Sequence, residues 1–257
     1  MIVPMLKGGL CNQMFQIAAG YALSLKLKCP FGINYNLPHH CIQGYNPSKY
    51  RNTIYRNIPT TEEIPKFKYA EPKFNYTPLP ETNELLYDGY FQSEKYFYDY
   101  RDEIRNLFTF PDELCSDVKT TISNLKKPVV GVAVRLGDYL KYIDVFGTLE
   151  LEYYEKAKAH IGVDVATYIL VTDDGIGASK KLGKTLFNPL IWCNSGSEVK
   201  DLYALTLCDS IIMANSSFSW WGAWLGNEKT VVCPKTWFGP KGCHPHDDIY
   251  CKDWIRI

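Results

Sequence analysis

Apolar and polar residues alternate along this chain in blocks whose spacing predicts alternating strands and helices. The apolar run at residues 2–6 predicts a short buried strand. After the pair Gly8 and Gly9, apolar residues recur at positions 14, 17, 18, 21, 22 and 25, which is the spacing of an amphipathic helix. A strand, a glycine-rich loop and a helix in this order open many nucleotide-binding folds.

The second half of the chain repeats this alternation more regularly. Strands are predicted in KPVVGVAVRLGDY, ATYILVTDD, SIIMANSS and TVVCPKTWF and near residues 189–192. Helices are predicted in LEYYEKAKAHI, EVKDLYALTLC and FSWWGAWLG and near residues 177–182. Such alternation predicts an α/β protein with parallel sheets and right-handed crossovers. A break within residues 110–127 divides the chain, and we place its two domains at residues 1–120 and 121–257.

The middle of the first half follows a different pattern. Eight of the 15 prolines lie in residues 30–80, so we expect irregular structure there rather than long strands or helices. This segment either shapes a substrate groove on the first domain or is simply a variable surface. A strand at residues 85–90 and a helix near residues 93–108 are predicted to follow.

Charge and composition narrow the class of function. The formal net charge of +0 argues against a nucleic-acid surface or a polybasic membrane contact. Aromatic residues make up 14% of the chain, which fits either stacking on sugar rings or an aromatic-rich core. The nine cysteines form no CxxC pair, so we expect free thiols in a reducing compartment. With no signal-peptide pattern and no apolar run of about 18 residues, we expect a soluble, cytoplasmic protein without a transmembrane anchor.

Polar residues cluster at four predicted strand ends, at residues 8–13, 135–139, 172–174 and 215–219. Ligands of open α/β sheets bind at the carboxyl ends of strands, so these clusters predict a single crevice. The serines at 216, 217 and 219 begin a helix, where hydroxyl and N–H groups favour phosphate, although a helix cap needs only one of them. Arg135 is suited to gripping a diphosphate, and the alternative is a salt bridge to Asp138.

Other signatures for cofactors and metals are weak. The chain has no GxxxxGK[ST] motif, and GIGASKKLG lacks the spacing of a dinucleotide-binding loop. The tail CHPHDDIYC is one compact run rather than two spaced pairs of ligands, so we interpret it as a surface loop and not a zinc site. Asp173 and Asp174 suit a divalent cation, but a helix N-cap explains them equally well.

The same clusters carry a family resemblance. The segments GGLCNQMFQIAAGYAL, GYFQSEKYF, VAVRLGDY, VTDD, DLYALTLCDSIIMANSSFSWWGAWL and PKTWF resemble glycosyltransferase family 11, the α-1,2-fucosyltransferases, in order from residue 8 to about residue 238. The resemblance implies a GT-B-like α/β fold of two Rossmann-like domains with a cleft between them. The N-terminal domain would form the acceptor side, and the C-terminal domain would bind the GDP-sugar.

The resemblance also implies a reaction, which is the inverting transfer of L-fucose from GDP-β-L-fucose to the 2-hydroxyl of a terminal β-galactoside. No metal ion or other cofactor is implied. The implied partners are GDP-L-fucose and an oligosaccharide acceptor, and the missing anchor fits a bacterial or viral type of enzyme. Another GDP-sugar or another acceptor is one alternative, and a glycan- or nucleotide-binding protein without catalysis is a second.

The resemblance also implies roles for individual residues. Arg135 matches the family's arginine that binds the β-phosphate, Ser217 matches a serine that contacts the diphosphate, and Asn12 matches the asparagine of the glycine-rich loop that faces the donor. Asp138 and Glu94 are candidate general bases, and a reaction without a dedicated base is the alternative. The predicted catalytic residues are Arg135, Asn12 and Asp138. Asp201 matches an acid that hydrogen-bonds guanine in the wider superfamily. The predicted donor-binding residues are Gly8, Gly9, Asn12, Gln13, Arg135, Asp173, Asp201, Asn215, Ser216, Ser217, Phe218 and Ser219.

Three positions depart from the family pattern His-x-Arg-Arg-x-Asp-Tyr and from its glycine loop. Ala133 stands in place of the histidine, Leu136 in place of the second arginine, and Cys11 where relatives usually have glycine. We interpret these departures as altered donor contacts rather than lost activity, because Arg135 and the serine cluster remain.

Overall fold

Two separate α/β units make up the chain. The computed structural model describes residues 1–38, 46–162, 167–183, 185–193, 195–226 and 230–257. One unit contains residues 1–111 and 245–251, and the other contains residues 112–244 and 252–257. The tail therefore returns to the N-terminal unit before the chain ends in the C-terminal one.

The N-terminal unit is built on a three-stranded parallel sheet with the strand order β1-β3-β2. Its strands are β1 (Ile2–Pro4), β2 (Phe67–Ala70) and β3 (Leu85–Asp88), with α1 (Leu10–Leu27) between the first two and α2 (Arg101–Leu107) after the third. Short 3-10 turns occupy Pro47–Tyr50, Glu94–Tyr96, Tyr98–Tyr100 and Asp247–Ile249. Since β1 and β2 both run parallel to β3, their carboxyl ends lie at one edge.

Helix α1 packs unusually close to the sheet at Gly20. A Cβ atom built at this glycine would lie 2.0 Å from the hydroxyl oxygen of Tyr87. Tyr87 is buried, and its hydroxyl donates a 2.6 Å hydrogen bond to the carbonyl of Gln16, so a shift of the ring would disturb a buried hydrogen bond. The missing side chain at residue 20 is therefore what allows helix and strand to pack at this distance.

Substituting this glycine should have the opposite effect from that usual in helices. Glycine to alanine in a helix interior normally stabilises by about 1 kcal/mol. Here we expect Gly20→Ala to lower the free energy of unfolding by about 1–3 kcal/mol, because the added methyl group overpacks a buried contact. Urea denaturation of the two proteins measures the difference. A variant more stable than wild type would show that Tyr87 moves aside freely.

The C-terminal unit contains a six-stranded parallel sheet with the order β6-β5-β4-β7-β8-β9. The strands are β4 (Val129–Val134), β5 (Thr167–Thr172), β6 (Leu190–Cys193), β7 (Ser210–Ile212), β8 (Thr230–Cys233) and β9 (Ile255–Arg256). The helices are α3 (Asp112–Ser123), α4 (Ile143–Phe146), α5 (Leu151–Ile161), α6 (Gly175–Leu182), α7 (Glu198–Thr206) and α8 (Ser217–Leu225).

The core of this unit explains why its strands are continuous apolar runs. Every residue of β4 is buried, as expected for a central strand of a parallel sheet with both faces covered. Helices α7 and α8 pack together, and Trp220 and Trp221 of α8 are fully buried. The pairing of β4 with β5 on one side and with β7 on the other places the carboxyl ends of these three strands side by side.

The structure confirms the α/β class and the parallel sheets, and it changes several boundaries. The predicted helix at 93–108 is regular only in α2, because Phe97 leaves helical geometry with φ −140°. Residues 110–127, treated as a break, contain α3, whose buried Cys115, Val118 and Ile122 have helical spacing. Because α3 packs on α7, the unit boundary lies at 111/112 rather than at 120/121. Strand β2 lies unpredicted in the proline-rich segment.

Within the described ranges, no helix combines the length and apolar character needed to cross a bilayer.

Candidate functional site

Three of the four polar clusters lie at one sheet edge of the C-terminal unit. Residues 135–139 follow β4, residues 172–174 end β5, and residues 215–219 follow β7. Because β4 pairs with β5 on one side and with β7 on the other, the clusters are neighbours. The fourth cluster, residues 8–13, belongs to the N-terminal unit.

Arg135 stands at the centre of this edge, held between two carboxylates. Its Nη2 atom is 2.6 Å from Asp138 Oδ1, and its Nη1 atom is 3.1 Å from Asp173 Oδ2. The predicted alternative of a salt bridge to Asp138 is therefore present in the structure. Its Nε atom is buried without a hydrogen-bond partner among the described residues. The side chain is still 27% exposed, and the guanidinium has five N–H donors in all, which is more than its two ion pairs need.

Neighbouring charges favour the ionised form of this guanidinium. Burial lowers the pKa of Arg135, but Asp173, Tyr139 and Asp138 together raise it above its ordinary value. Asp173 also accepts a 2.9 Å hydrogen bond from the backbone N–H of Leu136 through Oδ1. A Cβ at Gly137 would lie 2.2 Å from Asp173 Oδ2, so only glycine lets the carboxylate come this close. Asp173 thus orients both the side chain of Arg135 and the backbone that follows it.

Tyr139 connects Arg135 to the start of α8. The guanidinium lies over the Tyr139 ring, 5.2 Å from its centre, and the ring stacks on Phe146 with centroids 4.6 Å apart. The Tyr139 hydroxyl donates to the carbonyl of Asn215 at 3.1 Å. Burial raises the pKa of Tyr139 to about 12, so the hydroxyl stays protonated as a donor at neutral pH. Arg135 and the N-terminus of α8 therefore belong to one connected set of contacts.

The serine cluster divides into structural and accessible members. Ser216 is the N-cap of α8, accepting from the N–H of Phe218 at 3.3 Å. Ser219 is buried, and its hydroxyl donates to the carbonyls of Ala214 and Ser216. Ser217, the first helical residue, is half-buried and makes no side-chain hydrogen bond to the residues described. Ser217 and Phe218 are therefore the members of the cluster that a ligand could touch.

Asn215 stabilises the loops rather than facing outward. It is buried, and its amide nitrogen donates to the carbonyls of Phe146 at 2.7 Å and Trp237 at 3.0 Å. These two bonds connect the segment after β4 to the segment after β8. The predicted ligand contact of Asn215 would have to use other atoms than this amide nitrogen.

Asp201 lies on α7 and holds the loop that follows β6. Its Oδ1 atom accepts from the hydroxyl of Ser195 at 2.6 Å, from the backbone N–H of Ser195 at 3.2 Å and from the thiol of Cys193 at 3.4 Å. Burial, together with the nearby carboxylate, raises the pKa of the Cys193 thiol to about 12, so the thiol stays protonated and donates. The role of Asp201 toward guanine stays a prediction.

The two departures in the strand motif are buried positions. Leu136 belongs to the hydrophobic core, and its side chain lies next to Gly177 at the start of α6. Ala133 is buried, and its carbonyl accepts a 3.2 Å hydrogen bond from the hydroxyl of Tyr154. The apolar side chains therefore contribute to the core beneath the site, which leaves Arg135 as the cationic side chain of this strand end.

In the N-terminal unit, the glycine loop is anchored from behind by two glutamines. Gln13 is fully buried and donates to the carbonyl of Gly8 at 2.9 Å. Gln16 forms two hydrogen bonds with the backbone of Lys7, at 2.9 and 3.0 Å. Gly8 has a φ of 74°, and a Cβ there would lie 2.5 Å from Asn12 Nδ2. Gln13 was predicted to bind the donor, and the structure gives it a supporting place behind the loop.

Asn12 is held by a residue that the sequence did not single out. Its Oδ1 atom accepts a 2.8 Å hydrogen bond from Nε2 of Gln92, which follows β3. Gly9 precedes the first turn of α1 without a side-chain cap, so the early N–H groups of α1 have no side-chain partner from that position. Glu94, a candidate base, is buried and pairs with Arg101 at 2.8 Å.

Asp248 and His244, two candidate metal ligands of the tail CHPHDDIYC, form other contacts in the structure. Asp248 pairs with Lys95 at 2.5 Å and accepts from the N–H of Tyr76 at 3.0 Å. The ring of His244 contacts the carbonyl of Gly239 at 3.0 Å. Among the residues described, no three His, Cys, Asp or Glu side chains form a group suited to a metal ion.

Asp174 caps α6 by accepting from the N–H of Gly177 at 2.9 Å.

Comparison with known proteins identifies the family. A profile of the family described as Glycosyl transferase family 11 matches residues 5–257. The chain belongs to glycosyl transferase family 11. It is therefore a glycosyltransferase, and the resemblance seen in its motifs is confirmed over the whole chain.

Relatives of known name extend this result. An alpha-1,2-colitosyltransferase of Escherichia coli is 27% identical, over 100% of this chain and 98% of that protein. The O-antigen biosynthesis glycosyltransferase WbnK of Escherichia coli is 29% identical, over 98% of this chain and 99% of that protein. Galactoside alpha-(1,2)-fucosyltransferase 1 of Bos taurus is 28% identical over 57% of this chain and 45% of its own length.

The fold of this family member is also shared with a solved structure. NodZ alpha-1,6-fucosyltransferase, co-crystallized with GDP, superposes with a TM-score of 0.56 at 13% identity, over 88% of this chain and 92% of that chain. The fucosyltransferase NodZ from Bradyrhizobium gives a TM-score of 0.55 over similar shares. The chain therefore has a GT-B-like α/β fold, as the resemblance implied.

Proposed function

We propose that this chain transfers L-fucose from GDP-β-L-fucose to the 2-hydroxyl of a terminal β-galactoside with inversion of the anomeric centre. The observation that carries the proposal is the connected edge of the C-terminal sheet. There, Arg135 is joined through Tyr139 to the N-terminus of α8. The alpha-(1,2)-fucosyltransferase relatives and the GDP-bound NodZ neighbour support the choice of donor.

In the proposed reaction, the bond between the anomeric carbon and the β-phosphate oxygen breaks while the acceptor oxygen bonds to that carbon. Negative charge grows on the departing GDP, so catalysis depends on donors aimed at the diphosphate. Arg135 and Ser217 supply two of these donors, and the N-terminus of α8 adds backbone N–H groups and a favourable dipole. We assign Asp201 to the guanine and Asn12 to the sugar side of the donor.

Asp138 suits the orientation of Arg135 better than proton transfer. If it took the acceptor proton, its carboxylate would lose the 2.6 Å ion pair with Arg135 just as the charge on the leaving group grows. We therefore assign Asp138 to holding the guanidinium. The acceptor proton passes to another base or to solvent, and Glu94 stays a candidate only if it is released from Arg101.

A second donor is favoured by one specific observation. One relative that aligns over all of this chain is an alpha-1,2-colitosyltransferase, and colitose is L-fucose without its 3-hydroxyl group. A donor site that hydrogen-bonds the 3-hydroxyl of fucose would strongly reject colitose, which lacks that group. An apolar pocket at the same place would discriminate between the two sugars by only about 10- to 200-fold. We therefore take GDP-colitose as the alternative donor.

Release of GDP with and without acceptor tests the proposal. We expect lactose to stimulate GDP release from GDP-fucose, and the product to carry an α-1,2 linkage by NMR. EDTA should leave the rate unchanged, because the proposed reaction uses no metal ion. Stimulated release from GDP-colitose but not from GDP-fucose would overturn the proposed donor. GDP binding without release from either donor, across an acceptor panel, would favour a binding protein without catalysis.

We also propose that the enzyme works in the cytosol. The nine cysteines form no CxxC pair, and those within the described ranges form no disulfide with one another, which fits a reducing compartment.

A further inference from the structure

Glu71 occupies a strand end of the N-terminal unit that the proposed mechanism has not used. It follows β2 directly, and its backbone N–H donates to the carbonyl of Asp88 at the end of β3, at 2.7 Å. Its carboxylate then reaches across to the loop after β3. There, Oε2 accepts from the N–H of Tyr90 at 2.6 Å, and Oε1 accepts from the N–H of Phe91 at 2.9 Å. One side chain thus binds two successive backbone donors.

The turn that Glu71 binds has an uncommon backbone. Phe91 has a φ of 52°, in the left-handed region that a residue other than glycine adopts only when its surroundings require it. Its ring is fully buried between Tyr87 and Tyr96, with centroids 5.3 Å from each. Gly89 makes room for the carboxylate arm, because a Cβ there would lie 2.4 Å from the Cβ of Glu71. Packing and the two hydrogen bonds together hold this conformation.

The turn leads directly to the glycine loop. The residue after Phe91 is Gln92, whose buried side chain donates to Asn12 Oδ1 at 2.8 Å. That bond turns the amide of Asn12 so that Nδ2 points away from Gln92. The orientation of Asn12 therefore depends on the direction in which the turn sends Gln92.

We propose that Glu71 is a positioning residue for sugar transfer, whose ionised carboxylate sets the Tyr90–Phe91 turn and, through Gln92, the orientation of Asn12. The assignment rests on the proposed function, because it is Asn12 that would contact the donor.

The charges around Glu71 make this support sensitive to pH. Burial raises the pKa of Glu71 to about 7, against the opposing effects of the two N–H donors and Lys7. The titratable groups that face the carboxylate come from β2, from β3, from the segment after β1 and from the 3-10 turn Glu94–Tyr96: Tyr69, Asp88, Lys7 and Tyr96. Protonation removes the charge that the two N–H groups bind, so positioning of Asn12 should be lost as pH falls through about 7.

The test combines the pH profile of transfer with hydrogen exchange of the substrate-free protein. In wild type, kcat/KM should rise through pH 7, and protection of the Tyr90 and Phe91 amides, corrected for intrinsic exchange, should rise with it. In Glu71→Gln, we expect kcat/KM at pH 8 to fall between about tenfold and a hundredfold and the dependence near pH 7 to disappear. Affinity for GDP should stay within about twofold of wild type, because Arg135 lies in the other unit.

Two further variants separate positioning from damage to the fold. Gln92→Ala should reproduce the loss in kcat/KM and keep the pH-dependent protection of the turn, because it breaks the chain of contacts beyond Glu71. Glu62→Gln, an exposed glutamate of the same unit, should behave as wild type. If wild-type amide protection does not change around pH 7, or if Glu71→Gln keeps the wild-type profile, the inference is wrong. If protection changes as expected but no donor is turned over, the proposed function fails and the support by Glu71 stands.

Discussion

Replacing Arg135 with alanine is expected to lower kcat of the proposed transfer by about 10²- to 10³-fold. The guanidinium is the charged donor at the end of β4, and Asp138 and Asp173 hold it in place at 2.6 and 3.1 Å. Its removal takes away positive charge where the departing diphosphate gains negative charge. Steady-state release of GDP, with and without acceptor, measures the loss.

The controls for Arg135 address charge, geometry and folding separately. Arg135→Lys keeps the charge but cannot bridge two carboxylates with a planar fork, so we expect an intermediate loss. Lys141→Ala removes an exposed cation from the same segment and should have little effect. Because Arg135→Ala leaves two neighbouring carboxylates uncompensated, its unfolding curve must be measured alongside. A folded Arg135→Ala protein with wild-type kcat would exclude the proposed leaving-group role.

Replacing Asp173 with asparagine is expected to lower kcat/KM by about tenfold to a hundredfold. The carboxylate accepts from the N–H of Leu136 through one oxygen and pairs with Arg135 through the other. Asparagine can keep the first bond, but its NH2 group would then face the guanidinium. The arginine would lose one of the two anchors that fix its direction.

Asp174→Asn is the matched control, because it makes the same change of charge one residue further along. Asp174 caps α6, and asparagine is an equally good N-cap, so this variant should retain activity. The sign of the Asp173→Asn effect separates two explanations. If Asp173 acted only by repelling the diphosphate, its neutralisation would tighten GDP binding and raise kcat/KM, which would contradict the positioning role.

Much of the candidate site follows from the chain itself. Strand ends could be located because parallel strands are buried on both faces and read as continuous apolar runs that stop at polar residues. This pattern located the clusters that contain Arg135, Ser217 and Asn12, and the family resemblance assigned their roles. Nothing in that pattern reports the direction of a side chain, however. Gln13, Asn215 and Ser219 are polar residues at strand ends that the structure turns inward, where they bond to backbone carbonyls.

Other residues could not be found because their partners are distant in sequence. Gln92 reaches Asn12 across 80 positions, and Glu71 reaches the turn at Tyr90 across 19. Glu71 also lies in the proline-rich segment where no strand was predicted, since β2 is short and mostly exposed. An exposed edge strand lacks the continuous apolar run of a central strand. Its carboxyl end therefore cannot be located from the sequence pattern.

The order of residues alone predicts the class of the protein, its alternation of strands and helices, its family and the strand ends at which the candidate site lies. These properties depend on local spacing and on motifs of adjacent residues, which a linear pattern preserves. The tertiary structure alone decided which polar groups support the loops and which remain accessible. It also showed that Arg135 is shared by two carboxylates and that Leu136 fills the core. Those outcomes depend on the pairing of β4 with β5 and β7, because that pairing brings together side chains that lie far apart along the chain.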